Sequence, residues 1–304
     1  NALALPANAT TAASLIDPAG GAADLAAGLI REVAPGAIAR DPIRALRALR
    51  QAHSLGFRLA PETETAVHAA AALLPTVSAE RIRDEWLKLL LKAPAAGLAD
   101  LAETGLLPVF LPEMAVLADI EQSPPHHEPV LAHTVSVLHW LVAVETAVVQ
   151  QQAPSDPGLA LAHDALACYG DALAAHLARQ VDGQLDGRTL FYLGALFHDV
   201  GKAETQTVAD GRIRFLGHAR VGAELTATRL TALCLSKKAI RHVSDIVSGH
   251  MRPLLLLNSR RPVSRRAVYR FFRDTDTAGL DIGLLTLADH LATHDGPGEG
   301  DDWA

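Results

Sequence analysis

The chain is poor in cysteine and aromatic residues: two cysteines, Cys168 and Cys234, stand among 304 residues, and Phe, Trp and Tyr together make up 4%. Two thiols far apart in sequence exclude a disulfide framework and a thiolate metal site. Each lies in an apolar helical pattern, which is expected to bury it as a thiol in a reducing cytosol. No apolar run reaches the roughly 18 residues of a transmembrane helix, and no charged stretch precedes a short apolar one. The expectation is a cytoplasmic protein with no membrane partner. An initiator Met is also lacking. The chain begins Asn1-Ala2, so it is expected to be a fragment or a processed form, with this dipeptide either native or the scar of a tag.

What is abundant is alanine and leucine, the best helix formers, and about half of the residues are apolar. The fold class expected is all-α (mainly), and the length suits more than one compact unit. The net charge of −7 excludes a protein that coats nucleic acid uniformly. Positive charge is nonetheless concentrated in two runs, Arg40 to Arg58 and Arg260 to Arg273, either of which can meet phosphates because local fields matter more than the total.

Turn signals around short apolar stretches (Pro6, Asp17-Pro18, Gly20-Gly21, Pro35-Gly36) make 1–40 a short irregular or strand-containing remnant of something larger. From Asp41 the run Asp-Pro-Ile-Arg-Ala-Leu-Arg-Ala-Leu-Arg has Asp41 as N-cap, Pro42 at the first helical position and Ile43, Leu46 and Leu49 at helical spacing. Helices are expected from there to about Gly56, then at about 61–73, 78–92 with Ser78 as cap, and 94–104 ended by Gly105, giving a helical neck and body over 41–122. The proline-rich stretch Ser123 to Pro129 cannot continue a helix and marks the linker to a last unit, 123–304. Helical patterns run there over about 130–150, 158–180, 188–199, 217–235, 237–250, 263–273 and 279–293.

A polar pair, His198-Asp199, ends the apolar run Leu190 to Phe197, and holding it at the edge of a core requires partners. Adjacent helical residues point about 100° apart. One cation can therefore take both only with further ligands from other helices. His133 and Asp289, each flanked by apolar residues, supply a second imidazole and a second carboxylate, a set suited to Mg, Mn, Fe, Ni or Zn. His218 and His250 each follow a glycine at a helix boundary and can hold a second ion with Asp199 as bridge. Paired ions clamp an in-line phosphoryl displacement, and Lys202, four residues past His198, is placed to contact a phosphate oxygen. His126, His127, His163, His176 and His290 are expected to be ordinary core or surface histidines.

His133, then His198-Asp199 in His-Asp-Val-Gly-Lys, then Asp289 late in a helical stretch resemble the HD phosphohydrolase superfamily. The expected cofactor is a divalent metal, Mg, Mn or Ni, as one or two ions. The segment from Leu15 to Leu59 resembles the tRNA nucleotidyltransferase and bacterial poly(A) polymerase family: Leu15 to Leu25 is similar to its hinge motif, and Arg40 to Arg50 with Leu55 to Leu59 to its nucleobase-reading helix. Val77 to Glu85 follows as it does there. The resemblance implies that Asp41 and Arg44 pair with the edge of an incoming nucleotide. The residue before Asp41, usually acidic in the family, is Arg40. The Gly-Ser dipeptide and Asp-x-Asp pair of the family's polymerase head do not occur before residue 41. If Asn1 to Leu5 is native, it resembles the end of the family's head, which would place a head immediately upstream; nucleotidyltransferase activity is expected only if such a head lies there in a parent protein.

The function expected is that of the C-terminal portion of such an RNA-processing protein, with an HD site hydrolysing phosphate mono- or cyclic diesters and with nucleotide and tRNA-like RNA as partners. The alternatives are a free-standing HD nucleotide phosphohydrolase with the neck as scaffold, and a non-catalytic RNA-binding module with a structural metal. A last feature is the stretch Asn258 to Arg273. Ser264 can cap a helix in which Val268, Phe271 and Phe272 form an apolar face while Arg266 and Arg270 line another side, either following an RNA backbone or pairing with Asp274 and Asp276.

Overall fold

A computed structural model describes residues 3–7, 15–183, 185–257 and 262–294. Asn1-Ala2 and Asn258 to Arg261 lie outside the described residues. Helices dominate, as the alanine- and leucine-rich composition implies, and the strands are short. Two compact units divide at Phe110 and Leu111.

The first unit contains α1 (Gly21–Ala27), β1 (Leu29–Ile30), α2 (Ala37–Arg40), α3 (Ile43–Leu55), β2 (Arg58–Leu59), α4 (Pro61–Ala70), α5 (Ala79–Lys92), α6 (Pro94–Glu103) and α7 (Leu107–Phe110). Its core is the packing of α3 on α5. Ile43, Leu46 and Leu49 of α3 and Ile82, Trp86, Leu89 and Leu90 of α5 are buried at helical spacing, and Trp86 meets Phe110 edge-on at 5.8 Å. β1 and β2 pair in parallel, Leu29 with Arg58 and Ile30 with Leu59. Gly56, at φ 66°, ends α3 in the left-handed region. The expected cap at the other end is not made. Pro42 takes the N-cap position without a side-chain bond, because the Asp41 carboxylate is engaged by Arg81 instead. Ser78 likewise precedes α5 without a side-chain cap bond.

The second unit contains α8 (Pro112–Ala115), α9 (Val130–Val144), α10 (Pro157–Leu166), α11 (Gly170–Ala178), β3 (Gln180–Asp182), β4 (Leu185–Asp186), α12 (Gly187–Phe197), α13 (Lys202–Thr205), β5 (Gln206–Ala209), β6 (Arg212–Phe215), α14 (His218–Ala232), α15 (Lys237–Gly249), α16 (Arg252–Leu257), α17 (Arg265–Thr275) and α18 (Ala278–His294). α12 is the central element. Every residue of it except Arg188 is buried, the mark of a helix surrounded by others, here α9, α11, α15 and α18. Burying each of Leu190, Phe191, Leu193, Leu196 and Phe197 contributes about 1.5–3 kcal/mol relative to exposure. Asp186 caps it by accepting from the Thr189 amide (2.8 Å).

Several expectations are corrected. Residues 145–149 continue α9 as a π-helical turn, so Val130–Val149 is one 20-residue helix long and apolar enough to cross a membrane by length and composition. The sequence pattern did not reveal a run of that length, because His133, His139 and Glu145 interrupt it. Half of the helix is buried against its neighbours, and it carries His133 into the core. Cys168 and Cys234 are exposed: Cys168 lies in a single 3-10 turn, and Cys234 has left the end of α14 at φ 57°. The hairpin β5–β6 was not anticipated, although Asp210-Gly211 between alternating residues is its signature. Both turn residues have positive φ, 53° and 70°.

Candidate metal centre

His198, Asp199, His218, His250, His133 and Asp289 are brought together by five separate elements of the second unit. His198 caps the end of α12 and Asp199 follows it; His133 is in the first turn of α9; Asp289 is on α18; His218 opens α14 and His250 closes α15. Of the two boundary glycines only the first makes the turn that the sequence suggested, since Gly249 is the last helical residue of α15. Gly217, at φ 81°, turns the chain into α14. Gly201 has a different reason to be glycine: a Cβ there would lie 2.2 Å from the His218 carbonyl oxygen and 2.6 Å from the Gly222 nitrogen. The turn after Asp199 thus runs backbone to backbone along α14.

The side chains fall into two groups, His133, His198 and Asp289 in one and Asp199, His218 and His250 in the other, with all donor atoms of a group within 4.8 Å of one another. Asp199 divides its oxygens between them. Oδ2 is 3.2 Å from His198 Nε2, and Oδ1 is 3.4 Å from His218 Nε2 and 3.8 Å from His250 Nε2. In the first group His133 Nε2 lies 2.9 Å from Asp289 Oδ1. Lys202 Nζ donates to Asp199 Oδ2 (2.6 Å) and to Gln122 Oε1 (2.6 Å), so the lysine reaches the site expected of it.

The tautomers follow from the backbone. Nδ1–H of His198 donates to Ala195 O (2.7 Å), that of His218 to Phe215 O (2.8 Å) and that of His250 to Val247 O (2.7 Å). A carbonyl only accepts, so each Nδ1 carries a proton; at His218 and His250, which burial lowers, Nε2 is left with its lone pair toward the centre, the arrangement of metal-ligating histidines, whereas the neighbouring carboxylates favour the charged form of His198, which must release its Nε2 proton to bind an ion. His198 Nε2 is buried without a hydrogen-bond partner: Asp199 is near enough to attract it but misaligned for a bond. His218 Nε2 and His250 Nε2 face each other at 3.1 Å. Burial pushes His250 down to about 4 and also lowers His218, so at neutral pH neither supplies a proton between the two lone pairs. A cation resolves that repulsion. Burial raises the Asp199 and Asp289 carboxyls, but for Asp199 the His198 and Lys202 charges and for Asp289 the His133 hydrogen bond outweigh it and hold both below the usual range. Two carboxylates and converging imidazoles of this kind fit divalent metal.

Two neighbours were not singled out by sequence. His126 packs edge-on against His133 at 4.7 Å, and burial pushes it down to about 4. Gln122 holds Lys202. Both lie before α9, where no helical period points them inward, so only the proximity of His126-His127 to His133 in sequence hinted at the first. His176 also leaves the ordinary set. Its Nε2 and that of His242 each approach a different oxygen of buried Asp281 (2.8 and 2.7 Å), with Arg179 beside them. There the ring nitrogens are taken up by the carboxylate and a guanidinium supplies the positive charge, so that cluster ties α11, α15 and α18 together.

In the first unit Asp41 accepts from Arg81 Nη2 (2.9 and 3.2 Å), and Arg44 Nε lies 3.5 Å from the same carboxylate. Arg266 and Arg270 lie on the exposed side of α17; Ser264 caps that helix as expected, accepting from the Ala267 amide. Val268 and Phe272 do not form the buried face expected of them. Phe271 alone of the three is buried, because the helix meets its neighbours along one narrow edge.

Residues 171–293 match the HD domain family, and residues 56–117 match the family described as "Probable RNA and SrmB-binding site of polymerase A". A CC-adding tRNA nucleotidyltransferase of Thermus thermophilus is 34% identical over 262 residues, 84% of this chain and 50% of that protein. An A-adding tRNA nucleotidyltransferase of Deinococcus radiodurans is 35% identical over 287 residues, 91% of this chain and 55% of that protein. Over most of its length the chain is similar to these tRNA nucleotidyltransferases. It spans about half the length of these curated relatives. The solved Thermotoga maritima CCA-adding enzyme complexed with tRNA shares the fold, with a TM-score of 0.55 at 18% identity over 91% of this chain and 52% of that one.

Proposed function

We propose that this chain is the neck, body and HD portion of a tRNA nucleotidyltransferase-like RNA-processing protein of the cytoplasm, and that its HD site is a divalent-metal phosphohydrolase acting on phosphate mono- or cyclic diesters of a nucleotide or an RNA 3′ end. The observation that carries the hydrolase is the pair of unprotonated Nε2 atoms of His218 and His250 facing each other at 3.1 Å beside Asp199. His133, His198 and Asp289 would hold one ion and His218 and His250 a second, with Asp199 between them. Divalent ions supply charge stabilisation to a phosphoryl oxygen and acidify water. The chain's own groups do the rest. Lys202 would bind a phosphate oxygen, and Gln122 keeps its ammonium at the site. The three histidine Nδ1–H bonds to backbone carbonyls fix the ring planes in advance.

In the first unit, Asp41 and Arg44 serve as the nucleobase-reading pair. The carboxylate accepts from an exocyclic amine and the guanidinium donates to a ring nitrogen or carbonyl, while Arg81 holds Asp41 in place. Nucleotide addition through this pair would need a catalytic head upstream in a parent protein, with residues 1–40 as a head and hinge remnant, 41–122 as the neck and body and 123–304 as the HD domain.

Turnover of p-nitrophenyl phosphate and of a 2′,3′-cyclic nucleotide, measured with chelator and with added Mg, Mn or Ni, tests the hydrolase. Activity is expected only with metal, to be lost in Asp199→Asn and kept in Arg44→Gln. No turnover with any metal would make the site structural. Turnover retained in chelator would contradict the metal assignment.

A further inference from the structure

α17 is almost wholly surface. Of its eleven residues only Phe271 and Thr275 are buried, and Tyr269 is 67% exposed. At 100° per residue, Tyr269 lies on the arc between Arg265 and Arg273, one turn to either side, with Arg266 and Arg270 on its flank. Arg273 is neutralised by Asp274 (2.7 Å), which also takes Arg252 (3.2 Å). Among the described residues, Arg265, Arg266 and Arg270 make no ion pair or hydrogen bond. Like charges four residues apart, as Arg266 and Arg270 are, weaken a helix, so these guanidinium groups around an exposed phenol ring serve nothing in the folding of α17 itself. They present positive charge to an anionic partner.

The placement of the ring decides which anion. A membrane-lying helix needs a continuous apolar face with its basic residues opposite. Here the apolar pair Val268 and Phe272 sits at the edge of the arc, and Tyr269 stands inside the basic stripe. A flat ring with guanidinium groups on both sides fits a base flanked by phosphates. Bases in an A-form duplex are stacked on one another and closed to such a ring, whereas unpaired bases stack on tyrosine readily.

We infer that the exposed face of α17 is a ledge for single-stranded RNA, in which Tyr269 stacks on an unpaired base while Arg265, Arg266 and Arg270 hold the neighbouring phosphates. This takes from the proposed function only the premise that RNA is a partner. It adds the strandedness of that RNA and the residues that read it. The ledge would hold an unpaired RNA end on the same unit as the metal centre.

The test is binding of a short labelled oligoadenylate, and of a labelled duplex RNA of equal length, over a range of salt. Tyr269→Ala is expected to weaken oligoadenylate binding about tenfold, the loss of one base–aromatic stack, to leave the salt slope unchanged, and to leave duplex binding unchanged. Tyr269→Phe keeps the ring and is expected to bind as the parent does. Arg266→Gln with Arg270→Gln is expected to flatten the slope of log affinity against log salt by about 1.4, from roughly 0.7 per phosphate contact on a single strand. All of these side chains are exposed, and an unchanged far-UV dichroism spectrum checks that each variant is folded. Oligoadenylate binding indifferent to Tyr269→Ala overturns the ledge and leaves RNA as a partner of the chain elsewhere. No oligoadenylate binding even at low salt overturns the ledge and removes the RNA premise with it. Binding to phosphatidylserine vesicles that Tyr269→Ala abolishes, with RNA binding intact, overturns it in favour of a membrane surface.

Discussion

The six side chains of the metal centre do not share one protonation behaviour, and the difference is measurable. Burial pushes His250 down to about 4 and lowers His218. Burial also works against the charged form of His198, but the Asp199 and Asp289 carboxylates outweigh it and raise that imidazole. A ligand with a lowered folded pKa is already free of its proton at neutral pH, so acid competes with an ion at His250 only once the pH approaches 4, and at His218 later than at an ordinary imidazole. A ligand with a raised pKa must release a proton to bind, and its ion is lost earlier as the pH falls. The variant His133→Ala, which disables the first group, should therefore lose its remaining ion at a lower pH than a site of ordinary imidazoles does. A loss of about tenfold per pH unit beginning near 6.5, as for an ordinary imidazole, would contradict the environment assigned to His218 and His250. At this scale the sequence was informative where residue type and helical position coincide: His133, His198, Asp199, Asp289 and the two glycine-preceded histidines all reach one place. His126 and Gln122 were not legible, because they sit in a proline-rich stretch with no period to aim them. Asp41 was misread as a helix cap because nothing in the local sequence shows that Arg81, forty residues on, takes its carboxylate.

Among the elements, the close approach of the turn at Gly201 to α14 sets the spacing of the two ligand groups. Gly201→Ala is expected to force its Cβ against the His218 carbonyl and the Gly222 backbone, atoms that cannot move without moving α14. Overpacking of this kind costs about 1–3 kcal/mol. The same displacement carries His218 away from Asp199. A lowered melting temperature together with loss of one ion is the expected result; a variant with parental stability and full metal content would show that the approach is not structurally constraining. Most of the longer helices were legible, since apolar residues at helical spacing in α3, α5 and α12 leave few other ways to bury them, but the helix expected over 158–180 is α10 and α11 with a 3-10 turn between them, and α8 and α16 were not anticipated. The β5–β6 hairpin was passed over because its four-residue strands are half polar, although the Asp210-Gly211 turn was there to be read. The buried face expected of α17 failed for a tertiary reason: amphipathic spacing shows which residues can face a core, and the second unit offers that helix only enough core for Phe271 and Thr275.

For the whole molecule, charge and burial are arranged in opposite ways in the places proposed to act. The second unit gathers two carboxylates and four imidazoles, all but Asp289 buried, around one point, where they need a cation, and among the described residues Arg265, Arg266 and Arg270 of α17 have no ion-pair partner, which suits an anion. The two-group geometry around Asp199 is the centre of this account. Its most direct test is the metal content of purified chain by elemental analysis after saturation with Mn or Ni and removal of free ion. Two ions per chain are expected in the parent protein, one in His218→Ala or His250→Ala, and no tightly held ion in Asp199→Ala, which removes the carboxylate shared by both groups. Metal content unchanged in Asp199→Ala would contradict the site.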